Sequence, residues 1–274
     1  MFSPAENEGA IDSMRTAGKE FECNEIFSPI DRKACPGTLV STTLNQMQTA
    51  PEHLERQGFS ILPTVFSHRE MERLKRDLEQ SGLPRSKAGI RHALRQEGIR
   101  SLAADPDLLN FARRILGDQA TAFRATLFDK SPQANWLVVW HQDTVLPIQE
   151  RHDVCGWGPW SIKDGISYAH APASALCQVL ALRVHFDESN ADNGPLRVLP
   201  GTHMKGVLTD AEIEKLAAEA RTVDCLVPQG GVLAMRPLIV HASSKSRSPV
   251  PRRVVHIEYS GHKRFAPGLE LALT

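Results

Sequence analysis

His141 and Asp143 stand two residues apart in NWLVVWHQDTV, Asn135 to Val145. The stretch is apolar, aromatic and β-branched, as a buried strand is. Residues i and i+2 of a strand share a face. Leu137, Val139, His141 and Asp143 therefore fall on one face, and Trp136, Val138, Trp140 and Gln142 on the other. A buried carboxylate needs a partner, and a metal cation satisfies an imidazole nitrogen and a carboxylate oxygen together. The plainer reading is a hydrogen-bonded His–Asp pair at a strand end. A second histidine would favour the metal, because two histidines and one carboxylate form the facial triad of non-haem iron(II) oxygenases. His241 in LIVHASS is the candidate, sharing a face with Ile239 and Ser243. Other histidines are less well placed: His203 lies in the turn PGTH, and His152 and His170 lie in an irregular segment. His185 and His256 lie on strands, where a core or surface histidine is the ordinary reading.

The elements that must position these groups change character along the chain. Residues 1–46 are polar, rich in Ser, Thr, Pro and Glu, and lack sustained periodicity, which predicts a loosely ordered extension. The regular pattern opens at Met47, a candidate start of the chain, and residues 47–274 are expected to form a single domain. In SHREMERLKRDLEQSG, Ser67 and Glu70 make a capping box, Met71, Leu74 and Leu78 make a stripe, and Gly82 gives the stop. In DPDLLNFARRILGD, Asp105 caps, Pro106 opens and Gly117 ends a second helix. Thr209 and Glu212 repeat the capping box for a third. Elsewhere the chain reads as short strands, among them ATAFRATLF, LRVLP, GGVLAMRP and RRVVHIEYS. Asn193-Gly194 in DNGP reads as a hairpin turn and PQGG, Pro228 to Gly231, as another turn. Helices first and strands later, without β-α-β alternation, predict an antiparallel barrel or jelly roll with helices packed outside.

The 274 residues carry zero formal net charge, with 41% hydrophobic and 23% charged residues. That composition suits a soluble globular protein and offers no electrostatic footprint for nucleic acid or an anionic membrane. No stretch approaches the roughly 18 apolar residues of a membrane span. The N-terminus has no apolar core of a secretory signal. Five scattered cysteines, odd in number and without a C-x-x-C pair, argue against a disulfide framework or structural zinc, so a reducing cytoplasm is the expected compartment. Nothing here sets an oligomeric state.

Three ordered motifs then carry a resemblance. WHQD, DNGPLRVLPGTHMKG and VHASSKSRSPVPRRV resemble the phytanoyl-CoA dioxygenase family of Fe(II)/2-oxoglutarate oxygenases. That family has H-x-D on one strand, then N-G-x-L…P-G-[ST]-H, then a distal H-x-S with an arginine eleven residues after the histidine. His241, Ser243 and Arg252 match, and EHLERQGFSILPTVFSHREMERLKRDLE resembles the family's first strand and helix. The similarity spans roughly residues 50 to 262. It implies a mainly β fold with flanking helices around a double-stranded β-helix, the cupin-like jelly roll. It implies His141, Asp143 and His241 as iron(II) ligands and Arg252, with the Ser243 hydroxyl, as anchor for the far carboxylate of 2-oxoglutarate. An arginine suits that role because its fork grips a carboxylate in two places. Lys130, in a K-x-P before the H-x-D strand, is a further cofactor-side residue or a solvated loop lysine. Strand alternation instead favours Arg253, which shares a face with Val255, Ile257 and Tyr259. O2 would be the co-substrate, succinate and CO2 the products, and ascorbate a useful addition in vitro. The intact Asp143, where related halogenases carry a small residue, implies hydroxylation rather than halogenation.

Residues 146 to 176 show no clear periodicity, and a loop this long is usually functional or disordered. Trp157, Trp160 and Tyr168 are its candidate substrate-facing residues, the alternative being a packed surface loop. By parity Trp136 and Trp140 belong to the core and Gln142 is structural. No segment resembles a cradle for CoA phosphates, so an acyl-CoA substrate does not follow from the family's name. The expected substrate is a small organic molecule. Two other readings remain at this point: a non-catalytic jelly roll binding a metal or small ligand, and a cupin-type metalloenzyme that does not use 2-oxoglutarate.

Overall fold

The computed structural model describes residues 41–80 and 89–274, with side chains from 48 onward. Most of the expected N-terminal extension, and the helix stop at Gly82, lie outside them. The chain enters on helix α1 (Ser41–Gln57), so Met47 falls inside a helix and not at the start of one. Strand β1 (Phe59–Leu62) and helices α2 (His68–Gln80), α3 (Glu97–Ala103) and α4 (Pro106–Leu116) follow. The capping box of α2 is present: Ser67 N–H donates to Glu70 Oε2 at 2.7 Å. In α4 the Asp105 side chain accepts from the N–H of Asp107, and Gly117 at φ 90° ends the helix.

The strand-rich half runs β2 (Thr121–Lys130), β3 (Val138–His141), β4 (Val145–Ile148), β5 (Trp160–Lys163) and β6 (Ile166–His170). A short helical turn α5 (Ala173–Leu176) leads to β7 (Val179–His185) and β8 (Leu196–Val198). Helix α6 (Asp210–Glu219), capped by Thr209 and Glu212, precedes β9 (Val223–Cys225), β10 (Val232–Met235), β11 (His241–Ser243) and β12 (Arg252–Ser260). Two antiparallel sheets make the core of the fold, one in the order β1-β10-β7-β12-β2 and the other β3-β11-β8-β9. This is the expected jelly roll.

The larger sheet has unlike faces. Val255, Ile257 and Tyr259 of β12 pack with Met71 of α2 and with Leu108 and Phe111 of α4. The other face carries Arg252, Val254, His256 and Glu258 toward the second sheet, because side chains alternate along a strand. Register sets their neighbours. Arg252 lies opposite Lys130, His256 between Thr126 and Arg183, and Glu258 opposite Arg124.

Two local expectations fail for identifiable reasons. DNGP is not a hairpin: β7 belongs to the five-stranded sheet and β8 to the four-stranded one, so the segment crosses between sheets. Gly194, at φ 66°, lets that crossing pass against Ser244; a Cβ there would lie 2.3 Å from its carbonyl oxygen. Residues 146 to 176 are not a structureless loop either, because β4, β6 and β5 form a three-stranded antiparallel sheet within them. The strands are short and their faces mixed, so no period showed. PQGG is a turn as expected, with Gly231 N–H bonded to Pro228 O at 3.0 Å.

Candidate metal and co-substrate site

His141 ends β3, His241 opens β11, and the two are direct partners across the antiparallel pair. Asp143 follows β3 and is held by its N–H donating to Pro237 O at 2.9 Å. The three side chains bring one ligand atom each to within 4.8 Å of one another. The imidazoles are aimed by their far nitrogens. His141 Nδ1 bonds to Val139 O at 2.8 Å and His241 Nδ1 to Ile239 O at 2.9 Å. A carbonyl accepts only, so each Nδ1 carries a proton and each Nε2 is the atom turned toward Asp143. Those Nε2 atoms lie 3.7 Å and 3.6 Å from the two carboxylate oxygens of Asp143. Burial pushes His241 down to about 4, which leaves it neutral at pH 7. Burial opposes the charge on Asp143, but the flanking His241 and His141 hold its carboxyl well below the usual range. Burial opposes a charge on His141, but Asp143 beside it raises that imidazole above its ordinary value. Two imidazole nitrogens and one carboxylate oxygen converging on one point are a donor set that suits a divalent iron.

Trp136 and Val138 reach the cavity with His141 and Asp143, whereas Leu137 and Val139 are exposed. Simple alternation had placed these pairs the other way round. The pairing explains it: His241 faces His141 but Ser243 faces Val138, so β3 contributes an extra residue between them. That bulge reverses the alternation ahead of His141. Trp140 stays outside, under Arg197, and Gln142 is structural, spanning Leu238 O, Gly206 O and the Leu208 N–H.

The ligands open into a cavity of about 250 Å³ between the sheets. At one end Arg252, Lys130 and Ser243 converge. Lys130 Nζ donates to Ser243 Oγ at 2.8 Å and to Ser244 O at 2.6 Å, and stands 5.4 Å from the ring of Trp136. Arg252 is buried, and its Nε has no hydrogen-bond partner among the described residues. Burial and the neighbouring guanidinium of Arg183 lower Arg252 to about 10, and burial with Arg252 and Arg183 lowers Lys130 to about 7. Among the described residues no carboxylate lines this corner, so its charge is complementary to an anion. Arg253 points the other way and bonds Asp187 and Glu79 beside α2.

Several cavity groups escaped the sequence reading. Arg183 Nη1 donates to His256 Nδ1 at 2.9 Å, and Arg124 grips Glu258, with one bond at 2.6 Å. Arg91, His92 and Lys163 also line the cavity. His256 and Glu258 were accessible by parity, being four and six residues beyond Arg252 on its strand; Arg124 and Arg183 needed the register. Of the three candidate substrate-facing aromatics, Tyr168 lines the cavity. Trp157 packs on Phe265 and Trp160 lies under Arg151, both against the cluster around Leu146 and Leu176. The histidine of PGTH has a structural task, since His203 Nε2 donates to Glu55 O at 2.8 Å and ties its turn to α1.

A jelly roll with two histidines and a carboxylate lining a cationic cavity has the donor set of a non-haem iron oxygenase. The model of the phytanoyl-CoA dioxygenase family matches residues 54–254, and the chain belongs to that family. Its class is that of the Fe(II)/2-oxoglutarate-dependent dioxygenases. Ectoine dioxygenase of Bordetella bronchiseptica is 25% identical over 246 residues, covering 75% of this chain and 72% of that protein. The carbocyclase SnoK from nogalamycin biosynthesis, described as non-heme and α-ketoglutarate-dependent, superposes with a TM-score of 0.62 at 18% identity. That match covers 83% of this chain and 89% of SnoK. EctD from S. alaskensis, solved with bound Fe, gives 0.58 at 22% identity over 77% of this chain and 75% of its own.

Proposed function

We propose that the protein hydroxylates a small organic molecule at iron(II) held by His141, Asp143 and His241, with 2-oxoglutarate anchored by Arg252 and Lys130. Ser243, expected as a direct donor, has its one proton on Gly194 O and acts by aiming Lys130. The balance is one 2-oxoglutarate, one O2 and one substrate C–H giving succinate, CO2 and the alcohol. The observation that carries the reading is the triad sharing one cavity with the cationic corner at Arg252. Bound iron would supply oxygen activation coupled to decarboxylation. The chain's own residues do the rest. Val139 O and Ile239 O fix the imidazole tautomers, as carbonyls behind metal-bound histidines do. Arg252 fixes the far carboxylate, and Ser243, itself donating to Gly194 O at 2.9 Å, accepts from Lys130 and sets its direction. Trp136 and Val138 wall the co-substrate from solvent. Asp143 keeps the carboxylate position of the triad filled, which favours hydroxylation over halide transfer.

Among the described residues no helix is long and apolar enough to cross a membrane. We also place the reaction in the cytoplasm, on the five scattered cysteines without a C-x-x-C pair and the need to keep iron reduced. The test is succinate formation from 2-oxoglutarate with Fe(II), O2 and ascorbate across a substrate screen. Failure to bind both Fe(II) and 2-oxoglutarate in calorimetry would sink the proposal.

A further inference from the structure

The cavity has a second cationic end that the reaction as written does not use. Along β12 the inward residues run from Arg252 to Glu258, roughly 20 Å at strand rise. Arg252 and Lys130 mark one end. Glu258 and Arg124 mark the other, and Arg91, His92, Lys163 and Tyr168 cluster there. Lys163 and Tyr168 come from the β5–β6 hairpin, within the segment singled out as the substrate side.

Charge is unbalanced across this cavity. Among the described residues, Arg91, Arg124, Lys130, Lys163, Arg183 and Arg252 line it against two carboxylates, Asp143 and Glu258. Asp143 belongs to the triad and Glu258 is held by Arg124. Iron(II) and the 2-oxoglutarate dianion cancel one another, so loading the site leaves the excess in place. At the far end Asp164 serves the rim, 4.0 Å from Arg91 and 3.4 Å from His92 Nε2. Lys163 has no carboxylate within ion-pair distance among the described residues; its ammonium rests 5.0 Å from the centroid of the Tyr168 ring. Burial, then Arg124 and Arg91, lower its basicity. His92 is buried, held at φ 57°, and its Nδ1 has no hydrogen-bond partner among the described residues. A cationic end beside an imidazole whose Nδ1 has no partner among the described residues is complementary to an acidic ligand and repels a basic one.

We propose that this far end is an anion site for the organic substrate, with Lys163, backed by Arg91, taking a carboxylate or phosphate and His92 Nδ1 accepting from a donor beside it. The substrate class is thereby an organic acid, oxidised where its chain passes the triad. This rests on the cavity housing the dioxygenase reaction.

The test uses full-length protein loaded with Mn(II) and 2-oxoglutarate under nitrogen, so that no turnover occurs. The probes are hexanoate, phenylacetate and phenyl phosphate, with the methyl esters and amides of the two carboxylates. The readout is the broadening of probe proton resonances by the bound manganese. The acids are expected to bind at least about tenfold tighter than their neutral counterparts, which corresponds to about 1.4 kcal/mol. Lys163→Met is expected to erase that preference, Lys163→Glu to reverse it toward the neutral esters and amides, and both to keep 2-oxoglutarate affinity within about twofold. Whichever acid binds tighter, carboxylate or phosphate, names the source of the anion. Neutral probes binding as well as acids, Lys163→Met behaving as wild type, or no probe binding at all would overturn the site. If the wild type does not take up manganese and 2-oxoglutarate, the dioxygenase reading fails separately. The same probes are then compared on unloaded wild type and Lys163→Met by saturation-transfer NMR, with the same outcomes deciding.

Discussion

The two faces of β12 carry neighbouring arginines with opposite fates. Arg253 sits with Val255, Ile257 and Tyr259 on the face covered by helices, and its guanidinium meets Asp187 and Glu79. Arg252 sits with Val254, His256 and Glu258 on the face that closes the cavity, and makes no ion pair with a carboxylate among the described residues. One face is ordered by apolar burial and satisfied ion pairs. The other holds buried charge that folding alone does not satisfy, which is costly unless a ligand completes it. In this fold the polar face of a central strand, not the apolar one, lines the cavity.

The largest expected effect lies on the cavity side. His241→Ala should lower iron(II) affinity by more than about 100-fold, since even outer-shell changes cost 10–100-fold, and leave succinate formation undetectable. Equilibrium dialysis of metal measures it, and the thermal midpoint should move little. On the helix side, Arg253→Ala should cost about 2 kcal/mol in urea unfolding, because Asp187 and Glu79 both lose a charged partner. It should leave 2-oxoglutarate affinity within about twofold. A sizeable loss of affinity would break the contrast between the faces.

Lys130 sharpens it through pH. With its folded basicity lowered to about 7, the amine is largely neutral above that pH, while the unfolded chain still holds the proton up to the ordinary lysine range. Two consequences follow by linkage. Without ligand, stability should rise with pH between about 7 and the ordinary lysine value. A bound dianion should restore the proton, so 2-oxoglutarate affinity at saturating metal should fall as pH climbs above about 7, by at most about tenfold per unit. Lys130→Met should flatten that slope in calorimetry; an unchanged slope would assign it elsewhere. The smallest effect is Tyr259→Phe, which removes the 2.9 Å bond to Ala103 O and should cost about 1 kcal/mol without touching turnover.

Much of this was legible in the residues. Capping boxes at Ser67 and Thr209 and the Asp105-Pro106 start are local signals and fixed helix ends locally. His141, Asp143, His241 and Arg252 were legible because their chemistry is rare in strands and their spacing matches a family pattern. Alternation misled twice, for physical reasons. A bulge opposite His241 and Ser243 turned Trp136 and Val138 inward, and a bulge appears only in the pairing of two strands. For Arg252 and Arg253, alternation separated the faces correctly, but apolar company was taken as the mark of the lumen when it marks the helix side. Arg183 and Arg124 join the cavity solely through register with His256 and Glu258, which no single segment encodes. The β4-β6-β5 sheet stayed hidden because four- and five-residue strands of mixed exposure carry too little period.

The most direct measurement is a calorimetric titration of 2-oxoglutarate into manganese-loaded wild type, Arg252→Ala and Arg253→Ala under nitrogen. The account predicts that Arg252→Ala loses about 100-fold or more in affinity while still binding metal, and that Arg253→Ala binds like wild type. Undiminished binding by Arg252→Ala, or a comparable loss in Arg253→Ala, would contradict it.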